Sequence, residues 1–391
     1  MGNFREPMSL ESRVILQVLP SLVTGGVERG TVEIAEAVAR AGAVPLVASG
    51  GGPMVGQVER AGGVHIALPL QAKSSWGIWR NARLLEDVIR SRGVSVVHAR
   101  YRAPAWSAWL ACRRTGVPFV TTYHGTYGED LPLKRQYNAI MARGRIVIAA
   151  SHFIARLVME RHRVEAGRIR VIPRGVDPAE FDPAAVAGPR VVRLAEAWGL
   201  PAWGSPAGLK VVMLPGRLTS WKGHGVLLEA LARLGRDDVA AALVGSDQGR
   251  RRYSRELAAQ AARLGLAGRV HMVGGCADMP AALLLADVVV HASVQPEAFG
   301  RVVIEAQAMG RPVIASDLGG PVETVRHGET GWRVKPNDPD ALAAAIRAAL
   351  DQPPEERAAL GARARASVPT VRAMQDATLD VYETVLRGLR S

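Results

Sequence analysis

Cysteine is nearly absent from this 391-residue chain, which carries only Cys112 and Cys276. Two thiols cannot build a disulfide framework, so the composition points to a reducing compartment. No run approaches the eighteen or so uninterrupted apolar residues of a membrane-spanning helix. The opening segment MGNFREPMSLESRVILQVLPS does not read as a signal peptide, because its apolar run is short and carries Gln17. A cytoplasmic protein is therefore expected. Zinc spacings, aromatic-basic RNP stretches and recognition-helix patterns are lacking, which sets nucleic acid aside as a partner. No metal requirement is expected.

What the chain does have is length for two full cores and an ordinary balance of 48% hydrophobic to 22% charged residues. Its charge is less ordinary. The net value is +13, with arginine supplying most of the basic residues, and it is unevenly placed. Up to Ser205 there are 26 basic against 16 acidic residues, a balance of +10; beyond it, 23 against 20, a balance of +3. A high-GC genome that favours Arg over Lys would contribute to this. A basic N-terminal half also suits an anionic membrane surface or an anionic acceptor.

Short β-branched runs alternate with helical patterns throughout. The first half holds RVILQVLPS, VPLVASG, VHIALP, SVVHA, PFVTTYHG, RIVIAAS and RIRVIPRG; the second holds KVVMLPG, AALVG, RVHMVG, DVVVHAS and RPVIAS. Continuous apolar strands separated by helices predict parallel sheets covered on both faces, with ligands beyond the carboxyl ends of the strands. The Pro-, Ala- and Gly-rich stretch from Asp177 to Leu209 reads as a linker. It divides the chain into an N-terminal α/β domain, 1–205, and a C-terminal one, 206–371.

Chemistry concentrates between Gln295 and Gly320, QPEAFGRVVIEAQAMGRPVIASDLGG. A loop marked by Pro296 and Gly300 follows the strand VVVHAS, and a helix opens at Arg301. The amides of Phe299, Gly300 and Arg301 would point at whatever lies above the strand end, as in an anion or sugar site. Glu297 and Glu305 suit vicinal hydroxyls of a polyhydroxylated ligand. A solvated pair of acids around an ordinary turn is the plain alternative. Upstream, GRLTSWKGHG places Arg217 and Lys222 across a loop after a strand, where two cations suit a diphosphate. SLVTGGVERG brings Gly25 and Gly26 after the first strand; it differs from the dinucleotide G-x-G-x-x-G and so argues against a nicotinamide enzyme. TTYHGT sets His124 at another strand end, over Tyr123.

Glutamate, seven residues, glutamate, with F-G after the first and A-M-G-x-P-V-I-A-S after the second, resembles the retaining glycosyltransferases of family 4. The resemblance covers nearly the whole chain. It implies the GT-B architecture, two Rossmann-like parallel-sheet domains facing a central cleft, with the last helix, 372–391, returning to the first domain. It gives Glu297 the donor sugar, Phe299, Gly300 and Arg301 sugar or phosphate, and Glu305 the ribose hydroxyls. Arg217 and Lys222 fall on the donor pyrophosphate, and His124 near the reacting sugar carbon. Gly25, Gly26 and Glu28 match the family's G-G-x-E turn, facing donor phosphate and acceptor. The loop His271–Pro280 takes the position whose backbone reads the nucleotide base. In IPRGVD, Arg174 replaces the usual Asn. The catalytic set so implied is His124, Glu297, Arg217 and Lys222. Retention in the family is explained by front-face attack, with the departing phosphate accepting the acceptor's proton.

The expected activity is transfer of a sugar from a nucleotide-diphosphate sugar, a co-substrate rather than a cofactor, to an acceptor hydroxyl. Arg100 and Arg102, in HARYRAPAWSAW, offer guanidinium groups for a phosphate or carboxylate on the acceptor. Trp76 and Trp79 amid Lys73, Arg80 and Arg83 have the make-up of a membrane-interface segment, or of core tryptophans beside solvated arginines. H-A-R…R-A-P-A-W and Y-H-G-T-Y-G look most like bacterial envelope enzymes of lipopolysaccharide-core assembly. A lipid-linked or anionic glycan acceptor, and peripheral contact with the inner face of the cytoplasmic membrane, follow as expectations. Two readings stay open beside this one: a soluble sucrose- or trehalose-type synthase, and a non-catalytic sugar-nucleotide binding protein.

Overall fold

The structure is a computed structural model that describes residues 10–23, 25–128, 131–200, 208–249 and 251–388. Two compact units compose it: Met1–Pro173 with Val371–Ser391, and Arg174–Thr370.

The first unit alternates strand and helix as its apolar runs dictate. β1 (Val14–Val18), α1 (Gly26–Arg40), β2 (Val44–Ser49), α2 (Val55–Arg60), β3 (Val64–Ala67), α3 (Ser75–Ser91) and β4 (Val94–Ala99) come first. Then follow α4 (Arg102–Thr115), β5 (Phe119–Tyr123), α5 (Pro132–Asn138), β6 (Ile146–Ala149), α6 (His152–His162) and β7 (Ile169–Val171). All seven strands are parallel, in the order β3-β2-β1-β4-β5-β6-β7. Right-handed crossovers then put α1 and α2 on one face of the sheet and α3, α4 and α6 on the other.

The second unit starts with α7 (Gly188–Ala197) and β8 (Lys210–Pro215), then α8 (His224–Leu234), β9 (Val239–Val244), α9 (Arg251–Arg263), β10 (Val270–Gly274) and α10 (Met279–Leu285). It continues with β11 (Val288–His291), α11 (Arg301–Ala308), β12 (Val313–Ser316), β13 (Trp332–Val334), α12 (Pro339–Asp351) and α13 (Pro354–Ala366). Its six parallel strands run β10-β9-β8-β11-β12-β13. Leu227 and Leu231 of α8 and Ile346 of α12 pack on Val212, Leu243 and Val290 of the sheet. Asp338-Pro339-Asp340, an Asp-x-Asp triplet in form, is a helix cap: Asp338 accepts from the Ala341 N–H at 3.0 Å.

The boundary expected at Ser205 lies outside the described residues. The described part of the expected linker belongs to the second unit, not the first. α7 packs on α10, and Arg190 grips Asp278 through two bonds of 2.7 and 3.0 Å. Proline and alanine richness there reflects a short capped helix rather than a free tether.

The final helix, α14 (Val371–Arg387), joins the first unit and packs on α1. Val381, Tyr382, Val385 and Leu386 complete an apolar cluster with Ile15, Ile34, Val38, Val96 and Val120. The Tyr382 hydroxyl hydrogen-bonds His98 Nδ1 at 2.7 Å, and His98 Nε2 meets Thr122 Oγ1 at 2.6 Å, all three buried. Tyr382→Phe should therefore destabilise the first unit by about 1–3 kcal/mol, since a buried ring nitrogen loses its partner. Urea unfolding of the two proteins measures it, and equal midpoints would refute the tie.

Candidate active site

In each sheet the strand order reverses once, between β1 and β4 and between β8 and β11. Helices leave such a pair toward opposite faces, opening a crevice beyond the carboxyl ends. The motifs singled out in the sequence fall at these two places.

In the second unit, the loop Gly216–Lys222 follows β8 and the loop Ser293–Gly300 follows β11. They are clamped together: the Val294 N–H donates to the Trp221 carbonyl at 2.8 Å. Gly223 makes the closeness possible. Its φ is +76°, and a Cβ there would sit 1.9 Å from the Ala292 carbonyl oxygen. On the other side Gly320 lies so tightly under the loop that a Cβ would come within 2.3 Å of Ala298 O.

Three donors converge on one oxygen of Glu297. Lys222 Nζ lies 2.6 Å and His291 Nε2 2.7 Å from Oε1, and the Ser293 hydroxyl donates to the same atom. Glu297 Oε2 has no protein partner among the described residues. Burial alone would push this carboxyl up; the His291 ring and the Lys222 ammonium outweigh it and hold the group well below the ordinary carboxylate range. It stays ionised, so His291 carries its hydrogen on Nε2 and donates it. The result is a carboxylate anchored by one oxygen and free to accept through the other.

Gly300, φ +80°, caps α11, and the Phe299 and Gly300 amides have no acceptor among the described residues. Arg301 turns back along its helix, its Nε on Glu305 Oε1 at 2.9 Å, both side chains mostly buried. Arg217 is exposed and makes no ion pair among the described residues. The loop assigned to base reading follows β10 and ends at Asp278, whose side chain caps α10 and is held by Arg190.

The first unit places Gly25, Gly26 and Glu28 after β1, and Tyr101 after the neighbouring β4. The Tyr101 hydroxyl donates to Glu28 Oε1 at 2.9 Å. Gly25 is needed for space, not for a left-handed backbone. Its φ of 164° is extended, and a Cβ would lie 2.5 Å from Glu28 Oε2. Gly26 is already helical with open space around it. His124 sits half-buried directly after β5, beside the fully buried Tyr123.

One of the two expected acceptor residues is corrected. Arg100 is only 1% exposed, its Nε on Gln17 Oε1 at 2.7 Å, so it belongs to the core of the first unit. Arg102 is tied to Asn138 Oδ1 at 2.7 Å and stacks 4.3 Å over Tyr127. Conversely, His291 and Ser293 were not singled out. They close an apolar run, His291 as the last residue of β11 and Ser293 just past it, which is a readable sign of a polar site at the strand end.

Comparison with known proteins agrees with the architecture. A family model described as Glycosyl transferases group 1 matches residues 201–367, and one described as Glycosyltransferase Family 4 matches 24–180. A D-inositol 3-phosphate glycosyltransferase of Jonesia denitrificans is 31% identical, covering 74% of this chain and 71% of that protein. This chain belongs to the group 1 glycosyltransferases. It is thus an enzyme of GT-B fold that uses a nucleotide sugar. A solved glycosyltransferase of Rickettsia africae is similar at a TM-score of 0.87 and 35% identity, over 96% of this chain and 99% of that one. Anabaena Alr3699/HepE, solved in complex with UDP-glucose, is similar at a TM-score of 0.82 and 25% identity, over 95% and 99%. Among the described residues no helix is long and apolar enough to cross a membrane.

His224, just behind Lys222, yields a prediction on pH. Burial above all, with Lys222 adding, lowers its pKa to about 4, outweighing backbone carbonyls of Thr219 and Gly216 that favour the charged ring. An unfolded histidine titrates near 6.5, so the neutral ring's contribution is complete above that pH and is lost as pH falls toward 4. Between pH 7 and pH 5 the second unit should lose about 2 kcal/mol from this group. In His224→Gln that share of the loss should vanish. Denaturant titrations at the two pH values measure it, and an equal acid loss in the variant would count against this origin.

Proposed function

We propose that the enzyme transfers a sugar, with retention, from a UDP-sugar to a hydroxyl of a phosphorylated or lipid-linked envelope glycan or polyol. The anchored carboxylate of Glu297 carries this reading. Its open oxygen suits a sugar hydroxyl, and Lys222, 2.6 Å from the other oxygen, suits a diphosphate attached to that sugar. Arg217 supplies the second cation, the Phe299 and Gly300 amides face the same ligand, and Glu305 takes the ribose. In this assignment the two cations neutralise the leaving diphosphate, whose oxygen accepts the acceptor's proton, and no metal ion takes part. His124 and the Gly25–Glu28 turn serve the sugar and acceptor from the first unit. The uracil choice is supported by the UDP-glucose complex of the Anabaena relative, and a phosphorylated acceptor by the inositol 3-phosphate in the Jonesia relative's name. Lipopolysaccharide core is the envelope glycan that the sequence resemblance favours.

Lys222→Ala should lower kcat/KM by about 10²–10³, or 2.7–4 kcal/mol of transition-state stabilisation, with Arg217→Ala close behind. Wild-type turnover in both would remove the diphosphate assignment. The glutamates should differ. Glu305→Ala should weaken UDP itself, while Glu297→Ala should leave UDP binding equal or tighter, because Lys222 loses its competing counter-charge, and still abolish transfer. Calorimetry and a transfer assay separate these, and the reverse pattern would overturn the assignment. A thermal-shift panel of UDP-, GDP-, ADP- and CMP-sugars tests the base.

Peripheral membrane contact is supported by α3. Trp76 is 68% and Trp79 48% exposed, and Arg80 and Arg83 lie 5.7 and 5.2 Å over those rings. The spacing 76, 79, 80, 83 sets all four on one helix face. Co-sedimentation with anionic vesicles should fall in Trp76→Ser/Trp79→Ser and fall for wild type as salt rises, since exposed charges are screened over about 10 Å at ~0.1 M. Equal partitioning onto neutral vesicles would remove the electrostatic part.

A further inference from the structure

The first unit contains a basic cavity that the transfer reaction does not use. Its volume is about 760 Å³, and Trp109, Arg135, Arg143, Arg161, Arg163 and Arg168 line it. Arg143 and Arg168 lie just before β6 and β7, and Arg163 ends α6. These mark the amino ends of the strands, whereas Gly25, Glu28, Tyr101 and His124 follow carboxyl ends. Three of the cavity's arginines thus lie toward the amino ends, while Arg161 reaches the loop after β5 through the Tyr127 carbonyl.

Four of the five guanidinium groups are held in place without being neutralised. Arg161 Nη1 donates to the Tyr127 carbonyl at 2.9 Å, Arg135 Nη2 to the Arg161 carbonyl at 2.7 Å, and Arg168 Nη2 to the carbonyls of Ala142 and Gly144. Arg143 lies 4.5 Å over the Trp109 ring and 5.3 Å over Trp106, and Trp106 is itself pinned by its Nε1–H on the Tyr137 carbonyl at 3.1 Å. None of the five makes an ion pair, and no carboxylate lines the cavity, among the described residues. Carbonyls and ring faces fix direction but leave the charge in place. Arg163 adds a second sign. It is the C-cap of α6 in the left-handed region, φ 54° and ψ 39°, a setting that glycine adopts more readily. Five like charges around one cavity repel one another, and a bound anion relieves that repulsion. Planar, pre-oriented guanidinium groups match phosphate oxygens two at a time.

We propose that this cavity is a binding site for a multiply charged phosphate group, separate from the donor site. Either a soluble polyphosphorylated molecule or a phospholipid headgroup carries that chemistry. Leu131 and Leu133, 56% and 79% exposed, flank Pro132 of the cavity wall and would meet acyl chains in the second case. The inference does not rest on the donor assignment, because the two sites belong to different units.

Tripolyphosphate is the probe, titrated calorimetrically into the full chain. The test variant is Arg143→Gln/Arg163→Asn, whose second change suits a left-handed cap and keeps the fold. Arg217→Ala/Lys222→Ala is the donor-site control. The control should retain a tripolyphosphate site that the cavity variant loses at least tenfold in affinity, at unchanged melting temperature. Should the cavity variant bind tripolyphosphate as the wild type does, or the control lose all binding, the proposal is wrong. Should the cavity variant melt lower, Arg163→Asn alone gives the reading, with a several-fold loss expected and none overturning the idea. Vesicles with phosphatidic acid identify the source. With the α3 tryptophans replaced in both proteins, release of the chain with an intact cavity by tripolyphosphate, and weaker binding by the cavity variant, mark a lipid headgroup; equal sedimentation of both, with the calorimetric loss intact, marks a soluble ligand.

Discussion

The ion pair between Lys222 and Glu297 is the constraint on which the candidate site of the second unit turns. Two opposite charges at 2.6 Å, each side chain under 15% exposed, contribute little net stability compared with apolar residues in their place. What the pair provides is position. His291 at the end of β11 and Ser293 just past it add two donors to Glu297, and the His291 ring helps hold it ionised. Lys222 needs a loop that returns hard against that strand end, which Gly223 permits where no side chain would fit. The order β8 beside β11 brings the two loops together in the first place. Sheet topology, one glycine and three donors thus yield a carboxylate with a single open oxygen.

Much of this was legible beforehand because buried parallel strands write themselves as continuous apolar runs. Each of the twelve runs picked out of the sequence falls on one of strands β1 to β12. β13, only Trp332–Val334 at the sheet edge, was missed since three residues carry no periodicity. Arg217, Lys222 and Glu297 fall in loops after strands and Glu305 inside the following helix, as the sequence pattern put them, and their pairing partners did not declare themselves. Arg301 was read as a backbone donor, and its side chain proves committed to Glu305.

Arg100 shows where such reading stops. An arginine one residue past an apolar strand looks like a ligand contact, yet with both faces of the sheet covered its side chain goes inward, to Gln17. Nothing in the alternation of a doubly covered strand distinguishes the two directions. The basic cavity was equally hidden, since its arginines are spread from 135 to 168 on four separate segments. The excess of positive charge in the first half was visible as a total. The structure resolves part of it into two places: the tryptophan-backed face of α3 and the cavity.

The central claim is that the end of β8 and β11 holds the donor diphosphate and sugar. Amide hydrogen exchange, followed with and without UDP-glucose, addresses it most directly, because it reports the loops themselves rather than turnover. Protection on binding should concentrate in 216–223 and 297–301, with Phe299 and Gly300 slowed most. Protection confined to other segments, with these two loops exchanging as in the free chain, would contradict the account.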